Sequence, residues 1–185
     1  MKIFQFIFCF FFGIAVAKDI DFPPLQIGDF VFRQGIGAES LLIQKFSNSP
    51  YSHIAMVVKI SPDVLLIHAT TNDDTNRQNQ VILSSLDEFV RLGSKIAVKR
   101  PDFSQKNKEK IVDFAMQNLG REFVLSTKED AFYCTTFLEE AINKIENFKL
   151  KKEFVGFPFI KGYYLFPKAF FEDKRSKLIY ESIRD

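Results

Sequence analysis

Cysteine and histidine are scarce in this 185-residue chain, which carries two of each. Cys9 falls in an N-terminal apolar run, so once that run is removed Cys134 stands alone and no internal disulfide can form. An excess of one sign of charge is lacking too. Twenty-five basic side chains against 23 acidic ones leave a formal charge of +2, which projects no strong field and offers nucleic acid no basic face. The apolar run is too short for a comfortable membrane span. Internal repeats, low-complexity linkers and breaks in composition are absent, so nothing divides the chain into domains.

The N-terminus nevertheless carries an address. Met1-Lys2 is followed by apolar residues from Ile3 to Val16 and by Ala15-Val16-Ala17 ahead of Lys18-Asp19. One positive charge, a short apolar centre and a small-x-small ending form a secretory signal peptide. Residues 1–17 are therefore expected to be cleaved after Ala17, giving a periplasmic or secreted protein that meets the membrane only through this leader. An uncleaved N-terminal anchor is the alternative. Phe8 stands before Cys9 where lipid processing wants a small residue, so no lipid anchor is read there. Residues 18–185 remain as one domain, long enough for a real core. A lone thiol in an oxidising compartment is a liability, which argues that Cys134 works.

Cys134 stands where a polar loop gives way to a helical stripe of Phe137, Leu138, Ala141, Ile142, Ile145 and Phe148. A thiol in the first turn meets unpaired backbone N–H groups and the positive end of the helix dipole, both of which favour thiolate. The plainer alternative is a small buried core residue. Both histidines lie on a second feature. Residues 51–60 and 64–70 are apolar runs of strand length around Ser61-Pro62-Asp63, and they read as a β-hairpin. If Ile60 and Asp63 close the turn, His68 stands opposite Ala55, with His53 and His68 diagonal on one face. A slip of two residues would set them directly opposite, and a slip of one would separate them onto opposite faces.

Turn residues punctuate the remainder. Residues 18–27, with Pro23-Pro24, are extended; Gly28-Asp29 turns into a strand at residues 30–33; a short helix at 39–46 stops at Ser47-Asn48-Ser49-Pro50. Residues 72–79 read as an exposed polar loop, 80–83 as a strand, 85–90 as a short helix and 95–100 as a strand ending at Pro101. Ser104 caps a helix over 105–119 that stops at Gly120, and the Cys134 helix is expected to run to about 148. The aromatic tail closes in a helix from Pro167 onward.

Gly28-Asp29-Phe30-Val31-Phe32, Ser49-Pro50-Tyr51-Ser52-His53-Ile54-Ala55, Val64-Leu65-Leu66-Ile67-His68-Ala69 and Tyr133-Cys134-Thr135-Thr136-Phe137, with Lys99-Arg100-Pro101 and Pro167-Lys168-Ala169-Phe170, occur in an informative order. The chain resembles the YiiX-like family of circularly permuted, NlpC-type, papain-like cysteine hydrolases, in which the histidine strand precedes the cysteine helix. The resemblance implies an α+β fold, an antiparallel sheet packed against helices with the cysteine at a helix start. It also implies Cys134 as nucleophile, His53 as base and His68 as the third polar residue, with no metal and no cofactor. Two departures stand out: His68 occupies a position where relatives often carry Glu, and Thr135 one where Ser is commoner. An imidazole stabilises an imidazolium less well than a carboxylate does.

The expected reaction is acyl transfer through a Cys134 thioester, with an oxyanion held by the Cys134 N–H and a second donor for which Tyr133 and Tyr51 are candidates. Asp29 is read as closing its turn. The expected substrate is a small peptide-like amide, with cell-wall peptide as one source. The rivals are a lipid acyl hydrolase or acyltransferase, a non-catalytic binding module, and a metal site made of Cys134, His53 and His68.

Overall fold

Strand β1 (Phe30–Gly35) displays the plan of the molecule. Phe30 and Phe32 face one side, Val31 and Arg33 the other, and all four are buried. The structure is a computed structural model that describes residues 21–158 and 160–183, so the leader read at residues 1–17 lies outside the described residues. Around β1 the antiparallel sheet has the order β4-β3-β2-β1-β5-β8. Its other strands are β2 (His53–Lys59), β3 (Leu65–Thr70), β4 (Gln80–Ser85), β5 (Gly93–Pro101) and β8 (Ser176–Ile183).

Both faces of the central strands are covered, which is why they read as nearly continuous apolar runs. One face, with Phe32, Ile54, Met56 and Ile67, packs against α3 (Gln105–Met116) and α4 (Cys134–Asn143). The other, with Val31, Ala55, Val57 and Leu66, lies under Phe89 and Val90 of α2 (Leu86–Arg91). Helix α1 (Ala38–Ser47) follows β1, and a separate hairpin pairs β6 (Glu153–Val155) with β7 (Gly162–Tyr164). No helix among the described residues is long and apolar enough to cross a membrane.

Asp29 closes its turn by accepting the Gln26 N–H at 2.8 Å and holds Arg100 through both carboxylate oxygens, at 2.8 and 2.7 Å. The start of β1 is thereby tied to the end of β5.

Three expectations change at the C-terminal side of elements. Helix α3 stops at Met116, and looser turns lead to Gly120, whose φ of 78° suits glycine. Helix α4 stops at Asn143, whose side chain bonds both the carbonyl and the N–H of Phe148 and folds the chain back. The expected C-terminal helix is confined to α5 (Pro167–Glu172). Ser176–Ile183 is instead strand β8, paired with β5 from Lys95↔Ile183 to Pro101↔Ser176. The free edge of β5 supplies backbone partners that no local pattern announces, and they override helix propensity.

Candidate functional site

Helix α4 begins at a fastened point. The Thr136 hydroxyl accepts the Tyr133 N–H at 2.9 Å, the Thr135 hydroxyl donates to the Leu165 carbonyl at 2.7 Å, and the Tyr133 hydroxyl accepts the Leu165 N–H at 2.8 Å. The neighbours of Cys134 on both sides thus grip one backbone unit just beyond β7. Cys134 itself is 7% exposed. Burial pushes its thiol up to about 12, with the Ile54 and Thr135 N–H groups opposing. Burial thus opposes the thiolate expected from the helix start, whose N–H groups pull the other way.

Strands β2 and β3 place the histidines as expected. The pairs Met56↔Ile67 and Val57↔Leu66 extend to Ala55 opposite His68, although a bulge between Val57 and Lys59 alters the turn itself. His53 Nε2 lies 2.9 Å from His68 Nδ1, and His68 Nε2 lies 3.0 Å from Ser84 Oγ of β4. The two rings meet edge-on, and both contact Phe89.

Charge surrounds this pair. Arg33, the cross-strand partner of His53 in β1, lies over the Phe89 ring at 4.5 Å and donates to the Asp73 carboxylate at 2.7 Å. Asp73 Oδ2 is 3.7 Å from His68 Nδ1. Burial disfavours the Asp73 carboxylate, yet His53, Arg33 and His68 outweigh it and hold its pKa well below the ordinary range. His68 is pushed down to about 3 by burial, with Asp73 opposing and Arg33 and Arg77 adding. Burial and the Arg33 charge hold His53 well below 6.5, against the pull of Asp73. Both imidazoles are neutral at pH 7.

Cys134, His53, Arg33 and Asp73 line one cavity of about 490 Å³, whose remaining wall is largely apolar, with Leu42, Ile43, Phe46, Leu125, Ile160 and Phe166. Cys134 approaches from the α4 side of the sheet and the His53 ring from the α2 side. Among the described residues no hydrogen bond joins thiol to imidazole, and the ring bond of His53 goes to His68. Tyr133 lines the cavity, and burial pushes its hydroxyl up to about 12. Tyr51 does not. It is fully buried against Phe32 and Phe171, and its hydroxyl donates to Glu181 of β8, so the expected substrate or oxyanion contact is corrected to a core tether.

His53 Nε2, His68 Nδ1 and an Asp73 oxygen lie within 4.8 Å of one another, a set able to hold a divalent cation. It differs from the rival metal set raised from the sequence, with Asp73 in the place of Cys134. The fit is incomplete, because Arg33 already occupies the carboxylate and brings its own positive charge.

The profile of a family described as permuted papain-like amidase enzymes, YaeF/YiiX, C92, matches residues 24–180. The chain belongs to this C92 family. As a C92 chain it is an amide-bond hydrolase in general terms. A crystal structure of YiiX from Escherichia coli O157:H7, described as a metalloprotein, matches with a TM-score of 0.72 at 18% identity. The match covers 86% of this chain and 99% of that one. At that identity the likeness establishes the fold, the expected α+β permuted papain-like architecture. No curated protein matches.

Three members of this C92 site escaped the reading of the sequence. Asp73 lies in the segment taken for an exposed polar loop, Arg33 looked like an ordinary end of a strand, and Ser84 fell between an expected strand and an expected helix. Alternation alone could have placed Arg33 on the same face as Val31, where an arginine among buried residues calls for a partner.

Proposed function

We propose that this C92 amidase cleaves its amide by covalent thiol catalysis, with Cys134 as nucleophile, His53 as general base and His68 as the group that orients the base. The observation that carries the reading is the bond that joins buried His68 to His53, which lines the same cavity as Cys134. It engages His53 Nε2 and leaves Nδ1 for the thiol proton. In this arrangement His53 donates from Nε2 to His68 Nδ1, and His68 donates from Nε2 to Ser84.

Each step conserves its protons. The Cys134 proton passes to His53 Nδ1 as Sγ bonds the carbonyl carbon, and the carbonyl electron pair becomes an oxyanion facing the Cys134 N–H, which has no helical partner in the first turn. Collapse breaks the C–N bond, and the amine leaves with the proton from His53. A water that gives its proton to His53 then attacks the thioester and releases the acid and the thiol. The imidazolium formed in each half lies beside Asp73, which is already ionised. The apolar wall favours an amide that carries an apolar group, whether a peptide side chain or an acyl chain. Export after cleavage near Ala17 completes the proposal.

A metal reading competes on the strength of the His53, His68 and Asp73 cluster and of the description of YiiX as a metalloprotein. The Arg33–Asp73 pair weighs against it. One experiment separates the two. Purified protein is incubated with chromogenic N-acyl anilides of graded chain length, and the thioester is sought by mass spectrometry on the peptide that contains Cys134. The thiol reading expects an acyl adduct lost in Cys134→Ala, formed at least about 100-fold more slowly in His53→Ala, and indifferent to chelators. Hydrolysis that survives Cys134→Ala and disappears with a stoichiometric metal would overturn it.

A further inference from the structure

The β6–β7 hairpin leaves large aromatic side chains in solvent. Val155 is buried beneath it and lines the cavity, whereas Phe154 and Tyr163, directly paired across the two strands, are 54% and 59% exposed with ring centroids 5.3 Å apart. Phe157, in the loop, is 58% exposed, and its ring meets Phe46 of α1 at 5.8 Å. Exposure continues onto neighbouring elements. Leu41 and Leu42 of α1 and Leu125 stand open, and Leu42 and Leu125 also line the cavity. Phe157, Leu42 and Leu125 therefore form an apolar rim beside the mouth of the cavity, and Phe154 and Tyr163 continue the exposed apolar surface on the outer face of the hairpin.

The charge of the same segment is one-sided. Lys149, Lys151, Lys152 and Lys161 are exposed, while the acid between them, Glu153, is paired with Lys168 at 3.4 Å. On α1 the exposed Lys45, one turn from Leu41 and Leu42, is offset by Glu39, which is exposed and lines the cavity. The adjoining 126–130 segment adds Lys128 against Glu129 and Asp130, so the excess belongs to the hairpin. Over the whole chain the two signs nearly cancel.

We propose that this hairpin docks the protein on the surface of an anionic lipid bilayer. Aromatic rings favour the depth of the headgroups, where they meet both apolar chains and water, and lysines beside them gain from the negative surface potential. Docked in this way, the mouth of the cavity opens against the bilayer and admits molecules that partition there. A soluble acidic protein would use the lysines but give the three rings no apolar phase. The proposal stands whether or not Cys134 is a nucleophile, because none of its residues belongs to the thiol and histidine cluster.

The absence of tryptophan supplies the test. In the full chain, Phe157→Trp places a single reporter on the rim, and Ile60→Trp places one on the β2–β3 turn, at the end of the sheet away from His53; Ile60 is 47% exposed. Each variant is titrated with vesicles of phosphatidylcholine, alone or mixed with phosphatidylglycerol, whose acyl chains carry bromine. The expected result is a blue shift and bromine quenching at position 157 with anionic vesicles, reduced by salt, and silence at position 60. Adding Lys151→Glu and Lys152→Glu to the rim reporter should lower partitioning by about 30-fold or more. A rim reporter that stays unquenched, equal quenching at both positions, or indifference to the lysine reversals overturns the proposal.

Discussion

His53 is held between two opposing charges, Arg33 lowering its pKa and Asp73 raising it, with burial the largest influence. Because its pKa lies well below 6.5, the basic form persists into acid. The acid limb of the acylation rate is therefore expected below pH 6.5. Asp73→Asn removes the group that raises His53, so the limb should move to still lower pH while the plateau rate falls, since the imidazolium formed on acylation loses its anion. A limb unmoved by Asp73→Asn would detach Asp73 from the site. His68 gives a stability prediction. Its pKa is depressed to about 3, so its contribution is complete above the unfolded value of ~6.5 and is lost as pH falls from there toward 3. In that window the slope is about 1.4 kcal/mol per pH unit for one proton. Urea unfolding of His68→Gln between pH 7 and 4 should therefore show a correspondingly flatter dependence than the parent protein.

Elements are fixed to one another by a few buried polar ties. Asp29 is completely buried and carries Arg100 on both oxygens, joining β1 to β5. Asp29→Ala leaves a guanidinium without its anion and should cost about 3 kcal/mol in urea unfolding. The start of α4 has a comparable fastening in the Thr135 hydroxyl on the Leu165 carbonyl. Thr135→Val keeps the shape and removes the donor, at a cost of about 1–3 kcal/mol. The same substitution should slow acylation of Cys134 more than it alters binding, because it loosens the helix start that aims the thiol. A kcat that falls with KM unchanged would carry that interpretation, and an unchanged kcat would sink it. At this scale the sequence was readable wherever an element is announced by its own period or cap. Ser104 caps α3 through its hydroxyl as expected, and Ser85, read as the first residue of its helix, caps α2. It was unreadable at β8, whose hydrogen-bond partners lie in β5, some 80 residues earlier.

The whole molecule makes the cavity, since its wall draws on α1, the segment after Gly120, the β6–β7 hairpin and the start of α4. Its apolar side predicts that longer acyl amides react better, by about 0.8 kcal/mol per buried methylene. Ile43→Trp, which narrows that wall, should cut kcat/KM for long chains about tenfold or more while sparing short ones; equal losses on both would mean that the substrate lies elsewhere. The residues by themselves determined the apolar strands of the central sheet, the hairpin that carries both histidines, and the helix that begins at Cys134, whereas the register that sets His53 and His68 diagonal came from the folded sheet. Each of the first three follows from a local period, a turn or a cap. Only the tertiary structure decided that Asp73 and Arg33 stand beside the histidines, that Tyr51 is tied to Glu181 and closed off from the cavity, and that burial raises the Cys134 thiol. Desolvation and the grouping of charges depend on which distant segments cover a side chain, and no local pattern encodes that.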